Sequence, residues 1–149
     1  MDLKQLLKEE HVLLDVDANS RDESLDELIK VMQNTGVVQD AAVYKEAVLN
    51  REQEGSTGIG FGVAIPHGKS SGVKEPGLAF ARLNNEVDWQ SLDDKPVKAV
   101  FMIAIPEEQA GNEHLQILSQ LSRKLMHEDF RQKLLDASSS DELLAALDA

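Results

Sequence analysis

The chain contains no cysteine, few aromatic residues and no long hydrophobic run. The absence of cysteine excludes a disulfide scaffold, thiolate metal sites and cysteine nucleophiles. The longest apolar run, from Ala99 to Pro106, suits a buried strand and is too short to span a membrane. Because residues 1–5 do not begin a basic-then-apolar stretch, we expect no signal peptide, no membrane insertion and a cytoplasmic location.

Basic residues are also scarce, and their scarcity limits the possible partners. The 15 Lys and Arg residues against 27 Asp and Glu residues give a net charge of −12. Nucleic acid and anionic membranes repel such a surface, so we expect neither as a partner, whereas a basic protein would be attracted. The length of 149 residues predicts one domain over residues 1–149.

The hydrophobic pattern predicts an α/β fold. Strands are expected over residues 11–16, 63–65, 78–83 and 97–105, the last one central because it is almost continuously apolar. Ser20 and Glu23 form a capping box before a helix that Gly36 ends. Other helices are expected over 40–54, from Asn112, over 130–135 and from Ser140. The helix from Asn112 is expected to have Leu115, Leu118, Leu121 and Leu125 facing inward. About four strands among about six helices indicate a layered domain with a mixed sheet.

Residues 55–68 (GSTGIGFGVAIPHG) contain five glycines, but they do not match a nucleotide-binding motif. A P-loop ending at Gly68-Lys69-Ser70 would need a glycine where Val63 stands. Pro66 also lacks an N–H group to offer a phosphate. The dinucleotide motif fails at position 63 as well. We therefore expect no nucleotide and no other cofactor.

His67 is the candidate reactive residue of this segment. Pro66 holds Ile65 extended, so the direction of the strand fixes where His67 projects. Gly68 is expected to leave room beside the imidazole, and the glycine-rich backbone to form an anion-binding nest. An imidazole with a pKa of about 6.5 is mostly neutral in the cytoplasm and can accept a phosphoryl group. The alternative is an ordinary loop histidine bonded to the backbone.

Two more residues fit an anion site. His114 lies two residues after Asn112, a plausible N-cap, where a helix dipole favours an anion and a neutral imidazole. Arg51 follows Ala47 and Val48 at helical spacing and could bind phosphate oxygens with its guanidinium group. His114 could instead be a solvent-exposed residue, and Arg51 could extend along apolar surface to water.

No metal site is expected, because no two histidines are spaced i, i+4 and the carboxylates are scattered. We interpret His11 as structural and His127 as a surface or capping residue. Trp89 and Tyr44 are expected to be packing residues.

The residues Arg51-Glu52-x-x-Gly55-Ser56-Thr57-Gly58-Ile59-Gly60-x-Gly62-x-Ala64-Ile65-Pro66-His67-Gly68 resemble the signature of type-2 enzyme IIA domains. These domains belong to the fructose–mannitol class of the bacterial phosphoenolpyruvate-dependent sugar phosphotransferase system. Asn112-Glu113-His114-Leu115 resembles the second-histidine segment of the same family. Mannitol-type members carry an acidic residue where this chain has Phe61, and residues 78–83 and 112–130 look more like fructose-type members.

The resemblance implies a three-layer α/β/α sandwich with a mixed central sheet. It also implies a phosphotransferase that accepts a phosphoryl group from the carrier HPr at the tele nitrogen of His67. His114 would stabilise the phosphohistidine, Arg51 would lie beside it, and Ser56, Thr57 and Gly68 would support the loop. The next acceptor would be a cysteine of a IIB domain of the fructose type. We expect Phe61 beside His67, in contact with that domain.

Two alternatives remain at this point. A nitrogen-related regulatory IIA protein would be phosphorylated at the same histidine and would act by binding other proteins. A non-catalytic anion-binding or transporter-associated domain could share the fold, but it would not need His67, His114 and Arg51 together.

Overall fold

In the described part of the chain, six strands form one mixed β-sheet, and helices cover both of its faces in this computed structural model. The structure describes residues 3–108 and 113–148, with backbone only at Glu113, His114 and Asp148. The strands are β1 (Leu7–Val16), β2 (Gly58–Gly60), β3 (Val63–Ala64), β4 (His67–Ser70), β5 (Gly77–Val87) and β6 (Val97–Pro106). The helices are α1 (Leu3–Leu6), α2 (Arg21–Asn34), α3 (Ala41–Gln53), α4 (Glu113–Leu125), α5 (Glu128–Asp136) and α6 (Ser140–Asp148). Within the described residues, no helix combines the length and apolarity needed to cross a membrane.

Strand β6 is the centre of the sheet. It pairs antiparallel with β5 on one side and parallel with β3 and then β4 on the other. The order β1-β5-β6-β3-β2 is completed by a parallel β1–β5 pair and an antiparallel β2–β3 pair. The prediction of a mixed sheet with residues 97–105 at its centre is therefore confirmed.

Successive side chains of β6 point to opposite faces, and each face has its own core. Val100, Met102 and Ala104 belong to the core under α2 and α3. Phe101, Ile103 and Ile105 belong to the core that α1, α4, α5 and α6 cover. Two helical layers on one sheet confirm the predicted three-layer α/β/α sandwich.

Helix α2, whose capping residues are the clearest in the sequence, begins and ends where the sequence predicts. The Ser20 hydroxyl accepts a hydrogen bond from the Glu23 N–H group at 3.1 Å. Gly36, with φ of 86°, follows the helix, and the Val37 N–H group donates to the Met32 carbonyl at 3.0 Å. This pattern is a Schellman motif, in which glycine adopts the left-handed conformation at little cost.

The structure differs from the prediction at two places. The glycine-rich segment forms two short strands, β2 and β4, besides the predicted β3, so the sheet has six strands among the described residues where about four were expected. On α4 the buried residues are Ile117, Leu121 and Leu125, whereas Leu115 is 51% exposed. The prediction that Leu115 faces inward was therefore wrong, because the buried face of the helix is rotated toward Ile117.

His11 is structural, as predicted. Its imidazole is buried, with Nδ1 3.0 Å from the Leu78 carbonyl oxygen and Nε2 2.6 Å from the Thr35 hydroxyl. It thus ties β1 to β5 and to the end of α2. Burial lowers the pKa of His11 below its ordinary value of 6.5, against the opposing effect of the Leu78 carbonyl.

This lowered pKa predicts a pH dependence of stability. The unfolded chain binds a proton at His11 at higher pH than the folded chain does, so folding loses stability as the pH falls below about 6.5. We expect the free energy of unfolding, measured by urea denaturation between pH 7.5 and 5.5, to fall less steeply in His11→Gln than in the native protein. His127→Gln is the control, because His127 is exposed. Equal slopes in the native protein and His11→Gln would contradict this prediction.

Candidate functional site

His67 lies in an open cleft of about 550 Å³ between α3, β4 and α4. The cleft is lined by Asn50 and Arg51 from α3, His67 and Lys69 from β4, and Leu115 and Leu118 from α4. It brings together two of the three predicted reactive residues, His67 and Arg51. The helix that carries the third, His114, forms one wall.

The backbone around His67 is held from two sides. His67 pairs with Ile103 of β6, and the Ile103 N–H group donates to the Pro66 carbonyl at 3.0 Å. The Ile103 carbonyl accepts a hydrogen bond of 2.6 Å from the hydroxyl of Tyr44, a fully buried residue. Burial raises the pKa of Tyr44, so its hydroxyl stays protonated as a donor. Tyr44 is therefore a packing residue, as predicted, and it joins α3 to the strand beside His67.

The imidazole of His67 has a defined tautomer. Its Nδ1 atom lies 2.9 Å from the carbonyl oxygen of Ile65, two residues earlier. A carbonyl oxygen only accepts hydrogen bonds, so Nδ1 must carry the proton. In the neutral ring the lone pair then resides on Nε2, which makes Nε2 the nucleophilic nitrogen.

The cleft also holds positive charge in a chain that is acidic overall. Arg51 lies in the last turn of α3, and its Nη1 donates to the Gly55 carbonyl at 2.8 Å. Lys69 of β4 adds a second basic side chain to the lining of the cleft, and Glu54 contributes a carboxylate to it. A guanidinium group has five N–H donors, so the bond to Gly55 leaves Arg51 able to bind oxygen atoms of an anion as well.

The structure describes His114 only in part. Its backbone lies at the second residue of α4, within the first helical turn. Its side chain and Asn112, the predicted N-cap, lie outside the described residues. Since Leu115 and Leu118 line the cleft, the N-terminal part of α4 borders the space in front of His67. The positive end of a helix dipole favours an anion at such a place.

The loop residues Ser56 and Thr57 are anchored through their side chains. The Ser56 hydroxyl donates to the Trp89 carbonyl at 2.5 Å and accepts from the Gly58 N–H group at 3.0 Å. The Thr57 hydroxyl donates to the carboxylate of Glu52, and the Thr57 N–H group donates to the same carboxylate at 3.0 Å. Both residues thus hold the chain between α3 and β2, in the place where a supporting loop was predicted.

Glu52 and Lys69 are site residues that the sequence reasoning missed. Glu52 is 7% exposed, and Trp89 Nε1 also donates to its carboxylate at 3.3 Å. The sequence did offer a signal, because Glu52 directly follows Arg51 in the stretch that resembles the IIA signature. A carboxylate that is buried there requires hydrogen-bond partners. Trp89 is fully buried and therefore a packing residue, as predicted.

The glycines act differently from the prediction. A Cβ atom at Gly68 would lie 3.2 Å from the N and Cγ2 atoms of Val48 and 3.3 Å from Cβ of Ala47. Gly68 therefore allows β4 to approach α3 closely, and it does not mainly make room for an anion. The Gly55 N–H group donates to the Glu52 carbonyl and the Gly58 N–H group to Ser56. These N–H groups are used inside the loop, so the predicted nest at His67 does not form from them.

Phe61 is not beside His67. It occupies the β2–β3 turn with φ of 60°, and its side chain is 61% exposed, under the guanidinium group of Arg131 at 4.2 Å. The adjoining strand β3 pairs with Ala99 of β6, four residues from the partner of His67. At about 3.3 Å per residue, these two positions are about 13 Å apart along β6. The expectation that Phe61 lies beside His67 was therefore wrong.

Metal binding was not expected, and the described part of the chain contains no group of three or more His, Asp or Glu residues placed to hold a metal ion. His127 is exposed at the N-cap of α5 and makes no side-chain capping bond there. It is a surface residue, as predicted.

Comparison with known proteins identifies the family. Residues 5–149 match the model of the family described as "Phosphoenolpyruvate-dependent sugar phosphotransferase system, EIIA 2". The mixed sheet between two helical layers, with His67 and Arg51 facing one cleft, is therefore the fold of a phosphotransferase-system domain. The chain belongs to the EIIA 2 family of that system.

Relatives from Bacillus and Haloferax carry fructose in their names. A fructose-specific EIIABC component of Bacillus subtilis is 43% identical over 144 residues, which are 97% of this chain and 22% of that protein. A fructose-specific EIIA component of Haloferax volcanii is 42% identical over 138 residues, which are 93% of this chain and 89% of that protein. This chain therefore spans about a fifth of the first relative and most of the second.

Two solved structures share the fold. The nitrogen regulatory protein IIA-Ntr of Neisseria meningitidis superposes with a TM-score of 0.89 at 35% identity, covering 97% of each chain. The mannitol enzyme IIA of Escherichia coli, solved in complex with its phosphorylated IIB enzyme, gives a TM-score of 0.80 at 26% identity. That match covers 96% of this chain and 99% of the other.

Proposed function

We propose that this chain is a phosphoryl carrier that accepts a phosphoryl group from HPr at Nε2 of His67 and donates it to a IIB domain. The observation that carries the proposal is the bond from His67 Nδ1 to the Ile65 carbonyl, because it leaves the lone pair on Nε2. Arg51 and Lys69 in the same cleft supply charge for the phosphoryl oxygens. Residues 1–149 would act as one EIIA unit in the cytoplasm.

The transfer step needs no cofactor. As Nε2 attacks phosphorus, the P–N bond to the donor histidine breaks and the P–N bond to His67 forms. Nδ1 keeps its proton against the Ile65 carbonyl, which stabilises the positive charge that the ring gains. In the second half-reaction a thiolate of the IIB domain attacks phosphorus, and His67 leaves as a neutral imidazole. Catalysis then consists of positioning and charge stabilisation.

The partners follow from the family and from charge. The net charge of −12 would attract a basic face of HPr and speed the encounter. The mannitol IIA–IIB complex supports a IIB domain as the next acceptor. The names of the Bacillus and Haloferax relatives favour the fructose class.

A regulatory function is the second candidate, favoured by the likeness to IIA-Ntr of Neisseria meningitidis. The two functions differ in the step after phosphorylation of His67. A transport carrier passes the group to IIB within a catalytic cycle, whereas a regulator keeps it and changes its protein partners.

Reconstituted transfer distinguishes these functions. The purified chain would be incubated with labelled phosphoenolpyruvate, enzyme I and HPr, and then mixed with IIB domains of the fructose and mannitol classes. We expect rapid loss of label to the fructose-type IIB domain and slower loss to the mannitol-type domain. Labelling of the chain without transfer to any IIB domain would favour the regulatory function, and no labelling would refute both.

His114 should matter for the rate and not for the site of phosphorylation. We expect His114→Ala to be labelled at His67, but about 100-fold more slowly in onward transfer, the lower end of the cost of losing one preorganised donor. We expect the lower end of this cost because the exposed side chains of Lys69 and Leu115 place the cleft in contact with water. Rapid-quench kinetics of transfer to IIB would measure the effect. Gln116→Ala, an exposed change on the same helix, should keep the native rate, and a native rate in His114→Ala would contradict the assignment.

A further inference from the structure

The buried carboxylate of Glu52 accepts several hydrogen bonds, and Glu52 does not line the His67 cleft. Thr57 donates to it twice, through its N–H group and its hydroxyl, and Trp89 Nε1 donates at 3.3 Å. Arg21 Nη1 lies 3.9 Å from the same carboxylate. Arg51 and Glu54 line the cleft, whereas Glu52 is 7% exposed and turned into the loop. Its influence on His67 must therefore pass through other residues.

Hydrogen bonds lead from Thr57 to the imidazole. The Thr57 carbonyl accepts from the Ile65 N–H group at 2.9 Å. The Pro66 carbonyl accepts a hydrogen bond from the Ile103 N–H group at 3.0 Å. The peptide unit that joins Ile65 to Pro66 therefore lies between two hydrogen-bonded neighbours, the Ile65 N–H group and the Pro66 carbonyl. The oxygen of that peptide unit is the acceptor for Nδ1 of His67 at 2.9 Å. A displacement of Thr57 would move the group that fixes the His67 proton.

We propose that Glu52, acting through Thr57, is a positioning residue that holds His67 in the Nδ1–H tautomer. This inference rests on the proposed function for its kinetic consequence, but the tautomer itself can be measured independently. A carboxylate is required because it only accepts hydrogen bonds, and every group facing it is a donor. An amide at this position would turn an NH₂ group either toward the Thr57 N–H group or toward the Thr57 hydroxyl and Trp89 Nε1–H, so at least one donor would lose its acceptor.

The test combines nuclear magnetic resonance with kinetics. The ¹⁵N chemical shifts of the His67 ring report which nitrogen carries the proton. We expect the native protein to show Nδ1–H and Glu52→Gln to show a measurable population of Nε2–H. The maximal rate of phosphorylation by phosphorylated HPr should fall on the order of 10-fold, the lower end of the effect of changing a group that orients a reactive side chain. The HPr concentration at half-maximal rate should change little, because Glu52 does not line the cleft.

Three further variants separate positioning from general destabilisation. Thr57→Val removes only the hydroxyl and should shift the tautomer in the same direction, and Thr57→Ser should restore the native spectrum. Leu147→Ala creates a cavity in the opposite core, under α6, and should lower the melting temperature without changing the tautomer. A native tautomer in both Glu52→Gln and Thr57→Val, or an equal shift in Leu147→Ala, would overturn the inference. Absence of phosphorylation in the native protein would instead refute the proposed function and leave the tautomer comparison intact.

Discussion

His67→Ala is expected to take up no phosphoryl group from HPr, while the folded domain persists. The substitution removes the lone-pair nitrogen Nε2, opposite the bond to Ile65, which we propose as the phosphoryl acceptor. Alanine also fits β4 without a clash, because His67 is half-buried at the edge of the cleft. The native product should be labile in acid and stable in alkali, as a phosphorus–nitrogen bond requires. Mass spectrometry after labelling with phosphoenolpyruvate, enzyme I and HPr measures the result.

The other histidines provide the controls for this experiment. His127→Ala, at an exposed position, should be labelled like the native protein. His11→Ala tests whether loss of a buried histidine reduces labelling merely through instability, and its melting curve should be compared with that of His67→Ala. Full labelling of a folded His67→Ala would show that another residue is the acceptor and would refute the proposed carrier function.

Glu52→Ala is expected to be among the most destabilising single changes in the chain. It would leave the Thr57 N–H group without a hydrogen-bond acceptor and weaken the hydrogen bonding of Trp89 Nε1, and both of these donors are buried. Each buried donor without an acceptor costs about 1–3 kcal/mol, so we expect a loss on the order of 3 kcal/mol in the free energy of unfolding. Arg21 contributes little, because its side chain is 33% exposed and 3.9 Å from the carboxylate.

Urea denaturation at pH 7.5 would measure this loss, with Glu46→Ala as the matched control. Glu46 lies on the same helix, α3, with an exposed side chain. Its removal should change the free energy of unfolding by less than about 0.5 kcal/mol, as is usual for surface positions. A similarly small effect in Glu52→Ala would mean that the carboxylate does not hold the loop.

The sequence predicted those elements whose local signals agree with their packing. The capping residues Ser20 and Gly36 bound α2, and the apolar run of β6 becomes the central strand, because burial on both faces leaves no room for polar residues. The short strands β2 and β4 could not be predicted from periodicity. Gly58–Gly60 and His67–Ser70 lack apolar alternation, and His67 pairs with Ile103, 36 positions further along the chain.

The candidate site was predictable in its chemistry but not in its geometry. His67 and Arg51 could be chosen because their residue types and neighbours suit an anion. The contact of Gly68 with α3 and the position of Phe61 depend on how β3 and β4 align with β6, which the local sequence does not specify. The role of Glu52 likewise depends on Trp89, a residue 37 positions away in the chain.

The contact between Gly68 and α3 has a consequence for reversible transfer. Val48 and Ala47 already lie at contact distance from where a Cβ atom of residue 68 would be, so helix and strand cannot move closer, and any side chain would push them apart. Arg51 lies one helical turn beyond Ala47, and His67 immediately precedes Gly68. The close approach of β4 to α3 therefore limits how far the backbone segments that carry Arg51 and His67 can shift relative to each other. The proposed carrier would present the same pair of groups to the protein that loads it and to the protein that unloads it, so that neither direction of exchange would require the site to be rebuilt.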